Sequence, residues 1–369
     1  MLISVSDFGC YRILIYQSQY KKLPTKFSSY ILLHAPNIHV GGGLNLLECL
    51  LATCPDFFSW TQLDMRIKSK ELLTKKIASH WVRKSVWSRL WAEWRLYRRC
   101  AEGDTVLCFH GLPPIFKLRG HVVVFVQNKL LFDSSSLYGY PFLTRLRLMC
   151  ERVWTRMFSR NCDRYIVQTP SMASVVRVGL GNQVSISVLP FIHRVADKSP
   201  GSTEVTLSQY DFVYVASGEA HKNHGNLLLA WCLLAEAGFN PSLALTVDAL
   251  SHPILASEIE KHRDHHDLNI VNLGKVASAD MPALYKSSSA MIFPSMVESF
   301  GLPLIEATQM GLPVLASELD YVRDVIEPVE TFDPESPVSI ARAVRRFLKN
   351  PDPITQVGTA EEFLAEVLR

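Results

Sequence analysis

The sequence predicts an α/β protein built from two Rossmann-like, doubly wound units that face each other across a cleft. Three observations lead there. The second half alternates short β-rich runs with helical runs at the spacing of βαβ units, which implies a parallel sheet. The first half repeats that grammar with larger insertions. The chain, 369 residues with 48% apolar and 20% charged side chains, is long enough for two cores.

In the second half, residues 210–217 (YDFVYVAS) read as a strand and lead through the loop GEAHKNHG to a helix over 226–237. Strands follow at 242–247 and 268–273, with a helix at 254–266 between them. A short helix at 283–289, a strand at 290–294, a helix at 302–310 and a strand at 314–317 complete the pattern. Pro303 suits a first helical turn, where a missing N–H costs nothing, and Gly311 suits a C-terminal cap. In the first half, a strand at 30–35 precedes PNIHVGGG and the helix LNLLECLLA, and further strands are expected at 105–109, 122–127 and 165–168. Residues 79–100 read as one inserted helix, and 145–160 as another, with Arg152, Arg156 and Arg160 on one ridge. YRILIY, near the start, is either an extra strand or a loose extension. Residues 188–208 read as a linker. The expected units are therefore 1–192, 193–345 and a helical tail over 346–369 that crosses back to the first unit.

Composition narrows the class. The cysteines Cys10, Cys49, Cys54, Cys100, Cys108, Cys150, Cys162 and Cys232 form no CxxC and no zinc-type spacing with histidines, so packed, reduced thiols are expected. No apolar run reaches the ~18 residues of a membrane span. The opening MLISVSDFGCYRILIY lacks a basic n-region and a cleavage site, so no signal peptide is expected and the cytoplasm is the expected compartment. Residues 1–192 hold 25 Lys and Arg against 11 Asp and Glu, and residues 193–369 hold 13 against 24. Such a basic half either meets an anionic partner or is simply solvated or turned toward the acidic half.

Three strand-to-helix loops sit where open α/β sheets bind ligands. Gly41-Gly42-Gly43 offers free N–H groups and close backbone approach, suited to a phosphate or equally to a plain flexible turn. His221-Lys222-Asn223-His224 puts a lysine at a helix start. That opposes the helix dipole unless an anion sits there; otherwise Lys222 is an exposed loop residue. FPSMVESFGLPLIEA places Glu298 in a loop and Glu306 in the first turns of the next helix, around Gly301 and Pro303. Carboxylates there accept hydrogen bonds from sugar hydroxyls, or Glu306 is a helix-start acid favoured by the dipole.

The joint pattern ESFGLPLIE, ATQMGLPVLAS and LDYVRDVI, with YVASGEAHKNHGNLLLAW upstream, resembles the retaining GT-B nucleotide-sugar glycosyltransferases of group 1, or family 4. The likeness is strong over 210–345 and looser over 28–50 and 105–172. It implies a donor site between the units. Lys222 would neutralise the donor diphosphate. Glu298, with the backbone of Ser299, Phe300, Gly301 and Leu302, would meet the donor sugar, and Glu306 the ribose. Gly274, in the 271–275 loop, would lie beside the base, and Gly42 and Gly43 would close over the donor. His110 matches a position near the reacting carbon. The usual first basic partner of Lys222 is missing, so either His221, protonated beside the diphosphate, or a basic residue elsewhere would replace it.

The resemblance further implies transfer of a hexose, mannose foremost, from a nucleoside-diphosphate sugar with retention, and without a cofactor or obligatory metal. No Asp-x-Asp cluster is present to hold one. GDP-mannose and UDP-hexoses both suit as donors, and nucleic acid is not an expected partner. A sugar-nucleotide epimerase on the same fold and a non-catalytic nucleotide-sugar-binding protein are the alternatives. A glycosidase fits less well, because its carboxylates flank a sugar from opposite sides, whereas these flank one turn. The acceptor is expected on the first unit, as a saccharide or lipid-linked saccharide in O-antigen or exopolysaccharide assembly. Trp87, Trp91 and Trp94 recur at i, i+4, i+7 among six Arg and Lys. That pattern suits either core aromatics or an anionic membrane surface at the inner face of the plasma membrane.

Overall fold

The computed structural model describes residues 31–67, 77–133, 140–192 and 209–352. The YRILIY segment, most of the expected linker, and 353–369 of the expected tail lie outside those residues. Two all-parallel sheets carry the chain. The first contains β1 (Ile31–Ala35), β2 (Phe58–Asp64), β3 (Ser79–Val82), β4 (Thr105–Cys108), β5 (His121–Phe125), β6 (Arg164–Val167) and β7 (Ile186–Val188), in the order β3-β2-β1-β4-β5-β6-β7. The second contains β8 (Tyr210–Tyr214), β9 (Leu243–Leu245), β10 (Ile270–Asn272), β11 (Ser288–Phe293), β12 (Val314–Ser317) and β13 (Glu330–Phe332), in the order β10-β9-β8-β11-β12-β13. Both orders reverse direction once, between β1 and β4 and between β8 and β11. That reversal is the doubly wound, Rossmann-like topology, and it opens a crevice at the strand carboxyl ends.

The strands are runs such as HVVVF and SSAMIF, buried on both faces because helices cover both sides. In the first half the helices are α1 (Gly41–Thr53), α2 (Val86–Arg99), α3 (Phe142–Phe158) and α4 (Pro170–Leu180). In the second they are α5 (His224–Glu236), α6 (Pro253–His266), α7 (Met281–Lys286), α8 (Leu302–Gln309), α9 (Asp320–Arg323) and α10 (Pro337–Phe347). One continuous apolar cluster forms the core of the second sheet, and two clusters, one holding Leu33, Leu47 and Phe125 and the other Val106, Val124 and Val176, serve the first.

Several expectations are corrected. The three glycines do not form a loop ahead of the helix: α1 begins at Gly41, so they are its first turn. Residues 79–100 are not one helix. Ser79–Val82 adds a parallel edge strand beside β2, and Ser85 then caps α2, its Oγ accepting the Ser88 N–H at 3.1 Å. Arg160 leaves the α3 ridge because the helix ends at Phe158 and continues as a 3-10 turn. The short helix of 283–289 ends at Lys286, and Ser288 already pairs with Tyr210. The cysteines are also not uniformly separate from histidine: packing of α5 on α6 brings Cys232 Sγ within 3.5 Å of His262 Nδ1.

Candidate functional site

The loops leaving β8 and β11 lie on either side of the second sheet's switch point, and the chain ties them together. Asn223 adopts left-handed backbone (φ 62°), which ends a 3-10 turn and starts α5. Its buried amide donates to Pro294 O at 3.0 Å and Pro334 O at 2.7 Å. The His221 carbonyl accepts from Met296 N at 2.8 Å and Ser295 Oγ at 3.2 Å. Tyr214 Oη donates to Lys222 O at 2.7 Å. Lys222 is thereby aimed across the crevice, where its Nζ meets Glu298 Oε1 at 2.6 Å; the two side chains are 17% and 13% exposed. Asn223→Ala should cost about 2 kcal/mol in urea unfolding, because the buried Pro294 carbonyl loses its donor, Pro334 O keeps only Asn226 Nδ2 at 2.9 Å, and alanine tolerates this φ poorly. Asn223→Gly should recover the backbone part only.

The opposite wall comes from the first sheet. The glycines there pass close under two facing side chains: a Cβ on Gly42 would stand 2.9 Å from Leu302 Cδ1, and one on Gly43 would stand 2.6 Å from Gln127 Oε1, so either substitution would push the tip of that side chain aside. Leu302 packs against the core cluster of the first half. The Lys129 N–H donates to Ser299 Oγ at 2.9 Å, and Ser171 N–H to Asp324 Oδ2 at 2.9 Å. Between the walls lies a cleft of about 620 Å³, lined by Gly42, Gly43, Lys222, Lys275, Glu298 and the Ser299–Pro303 turn. It adjoins a larger space of about 1010 Å³ that shares Gly41, Gln127 and Lys222 and adds Tyr140, Arg147 and His221. Gly301 enters α8 with φ +72°, the left-handed region that glycine adopts without strain.

Most of the expected residues converge. Lys222, Glu298, Ser299, Phe300, Gly301, Leu302, Gly42 and Gly43 all line the cleft. His221 lines the adjoining space, where its Nδ1 lies 2.9 Å from Tyr140 Oη. Burial, and then the Lys222 charge, push its pKa below the usual histidine value, so protonation of His221 requires an anion such as a diphosphate beside it. The 271–275 loop reaches the cleft through Lys275, an exposed cation that sequence reasoning places only as part of the loop beside the base, and Tyr140 was missed. Three expected residues stand elsewhere. Gly274 precedes Lys275 but does not line the cleft. Glu306 accepts the Tyr285 hydroxyl at 2.9 Å behind it, and burial pushes its carboxyl upward. His110 lines a separate cavity of about 190 Å³ with Arg89, Glu93, Arg147 and Glu151. Its Nδ1 lies 3.2 Å from His34 O. Burial, with the His34 and Arg89 charges, holds it well below the usual value, so its ring is neutral. His34 and Glu93 lie close enough to join it around an ion, but both His34 ring nitrogens are already engaged, by Gln62 at 2.5 Å and Glu93 at 3.0 Å.

His224, next to Asn223 at the start of α5, is buried against Tyr214, and neither ring nitrogen has a partner among the described residues. Burial, then the Lys222 charge, drive its pKa to about 3. The unfolded chain, near 6.5, binds the proton more readily. Its stabilising contribution is therefore complete above about pH 6.5 and is lost as the pH falls toward 3. Between pH 7 and pH 5 the loss should be about 2 kcal/mol in urea unfolding, and His224→Phe should remove that component.

A second surface lies on the outer face of the first half. α2 buries Ala92, Glu93 and Leu96 and turns its tryptophans outward: Trp87 is 76% and Trp91 57% exposed. Core packing of these aromatics is excluded. α3, which shares the 190 Å³ cavity with α2, exposes Phe142 (75%), Leu146, Met149, Val153 and Met157 along one stripe. Exposed Arg83, Lys84, Arg95, Arg98 and Arg156 surround them. Among the described residues no helix is long and apolar enough to cross a membrane.

Comparison with known proteins adds findings of three kinds. The family model "Glycosyl transferases group 1" matches residues 196–362. The serotype-specific mannosyltransferase WbdA of Escherichia coli is 28% identical over 229 residues, 53% of this chain but 26% of that protein. The O-antigen chain mannosyltransferase B of Escherichia coli is 30% identical over 137 residues, 35% of each chain. Among solved structures, Anabaena HepE in complex with UDP and glucose superposes with a TM-score of 0.66 at 17% identity, covering 87% of this chain and 90% of that one. Sucrose-phosphate synthase from Thermosynechococcus elongatus gives 0.62 at 16% identity, covering 88% and 90%.

Proposed function

We propose, from the premise that this chain is a GT-B-fold relative of the group 1 (family 4) nucleotide-sugar glycosyltransferases, that it moves a hexose from a nucleoside-diphosphate sugar to a saccharide hydroxyl with retention. The observation that carries this reading is the Lys222–Glu298 pair at the switch point, facing Gly42 and Gly43 across the cleft.

The donor diphosphate lies beside Lys222, with Lys275 as the second cation that the basic loop itself lacks. An ammonium has three donors, so Lys222 holds both a phosphate oxygen and Glu298. Glu298 and the backbone of the Ser299–Leu302 turn take the sugar hydroxyls. Glu306 meets the ribose only if the donor draws it from Tyr285. When the anomeric C–O bond breaks, its electron pair goes to the leaving diphosphate, where Lys222 stabilises the growing charge. The acceptor oxygen bonds to the anomeric carbon on the same face, and its proton passes to a diphosphate oxygen. The space around Tyr140, Arg147 and His221 receives the acceptor.

Mannose is the preferred hexose, since the named relatives are mannosyltransferases. The exposed aromatic and basic faces of α2 and α3 support a lipid-linked acceptor, with the enzyme resting on an anionic membrane surface during surface-polysaccharide assembly. Thermal-shift measurements against GDP, UDP and ADP should show one clear stabilisation by linkage, followed by acceptor-dependent release of that nucleotide from its sugar. Stabilisation without acceptor-dependent release would favour a binding protein, and no stabilisation by any of the three would overturn the donor site.

A further inference from the structure

Outside the cleft, the helices α5 and α6 bring together three side chains that the proposed reaction does not use. Cys232 lies two turns into α5 and is buried. His262 and His266 lie one turn apart on α6, at the i, i+4 spacing that places two imidazoles on one helix face. Their ligand atoms, with the Cys232 sulfur, all lie within 4.8 Å of one another. None of the three lines the cleft.

We propose that Cys232, His262 and His266 form a site for a thiophilic divalent transition metal, with Zn²⁺ the best fit. The donor set is one sulfur and two imidazole nitrogens, the type that selects zinc over the oxygen-seeking Mg²⁺ and Ca²⁺. The spacing fits as well. With Zn–S near 2.3 Å and Zn–N near 2.0–2.1 Å, a tetrahedral angle separates sulfur from nitrogen by about 3.5 Å. Cys232 Sγ and His262 Nδ1 are 3.5 Å apart. Both histidines are half-buried, so one side of the site is open to solvent for a water ligand.

Binding replaces the thiol proton: sulfur binds the metal as thiolate and one proton goes to solvent. The metal staples α5 to α6. Both helices start beside the cleft, α5 after Lys222 and Asn223 and α6 after Ser251 and His252. The site thus holds two of the cleft's supports in a fixed relation without touching the donor.

The same 3.5 Å also fits an S–H···N hydrogen bond, and the experiment separates the two. Untagged full-length protein, stripped with chelator, is titrated with Co²⁺. The expected result is one Co²⁺ per chain, with a thiolate-to-cobalt charge-transfer band and tetrahedral visible bands that Zn²⁺ displaces. Cys232→Ser should abolish the charge-transfer band, and His266→Gln should weaken binding at least tenfold. Zn²⁺ should raise the wild-type melting temperature and leave the variants unmoved. Should Cys232→Ser fail to fold, His262→Gln and His266→Gln carry the test. No cobalt spectrum, or one that survives loss of Cys232 or of both histidines, would overturn the site and leave a hydrogen-bonded pair.

Discussion

Lys222→Ala should lower turnover by roughly 10²–10³-fold, the cost of removing one preorganised donor from a developing oxyanion. The loss should appear in kcat more than in KM, because the charge that Lys222 meets grows as the anomeric bond breaks. Stability changes as well. The variant leaves the Glu298 carboxylate nearly buried without its 2.6 Å partner. Fully buried pairs lose roughly 3–5 kcal/mol when one member goes and exposed pairs about 0–1, so this pair should lose about 1–3. Lys222→Ala/Glu298→Gln should regain part of that stability and none of the turnover. Glu298→Gln alone keeps the hydrogen-bonding shape and should slow transfer less than Lys222→Ala. Lys222→Arg keeps the charge but not the compact ammonium and should recover a fraction of turnover. Full turnover by Lys222→Ala, measured as nucleoside diphosphate released in the presence of acceptor, would remove Lys222 from the reaction.

The switch-point loops were legible because their chemistry is local. Lys222 at a helix start and Glu298 after a strand are each odd for stability, and a parallel sheet places both at one crevice. The strands β2, β7 and β13 were missed for a related reason: the seven residues FSWTQLD of β2 have no clear alternation, and the three-residue runs of β7 and β13 carry no period at all. Ser85 was the available signal that residues 79–100 divide into a strand and a capped helix. Contacts made only by tertiary packing left no local trace. The Tyr285–Glu306 hydrogen bond, the approach of Leu302 to Gly42, and the meeting of Cys232 with His262 belong to that class. The Trp87, Trp91 and Trp94 spacing shows that one helix face is aromatic, yet spacing alone does not say whether that face points in or out. Only the placement of Ala92, Glu93 and Leu96 against the sheet decides it.

That outward face sets the second large expectation. Full-length protein should sediment with vesicles containing anionic lipid at low salt and release from them as salt rises. Trp87→Ala/Trp91→Ala/Phe142→Ala/Leu146→Ala should weaken this binding at least a hundredfold. Each exposed ring or branched chain that enters the interface removes apolar area from water at about 25 cal/mol per Å², which amounts to roughly 1–2 kcal/mol per side chain. Lys84→Glu/Arg156→Glu should act differently. A basic residue near an anionic surface contributes about 1 kcal/mol and is screened within a Debye length, so this pair should lose the low-salt component and keep the residual high-salt binding. None of these six side chains lines the cleft, so transfer to a water-soluble acceptor should be unchanged in both variants while transfer to a vesicle-borne acceptor falls. Two results would sink the membrane face: wild-type protein that ignores anionic vesicles at low salt, or aromatic variants that bind them as tightly as wild type. Binding to neutral vesicles as strong as to anionic ones would leave insertion of the aromatic stripe as the cause and remove the arginines from it.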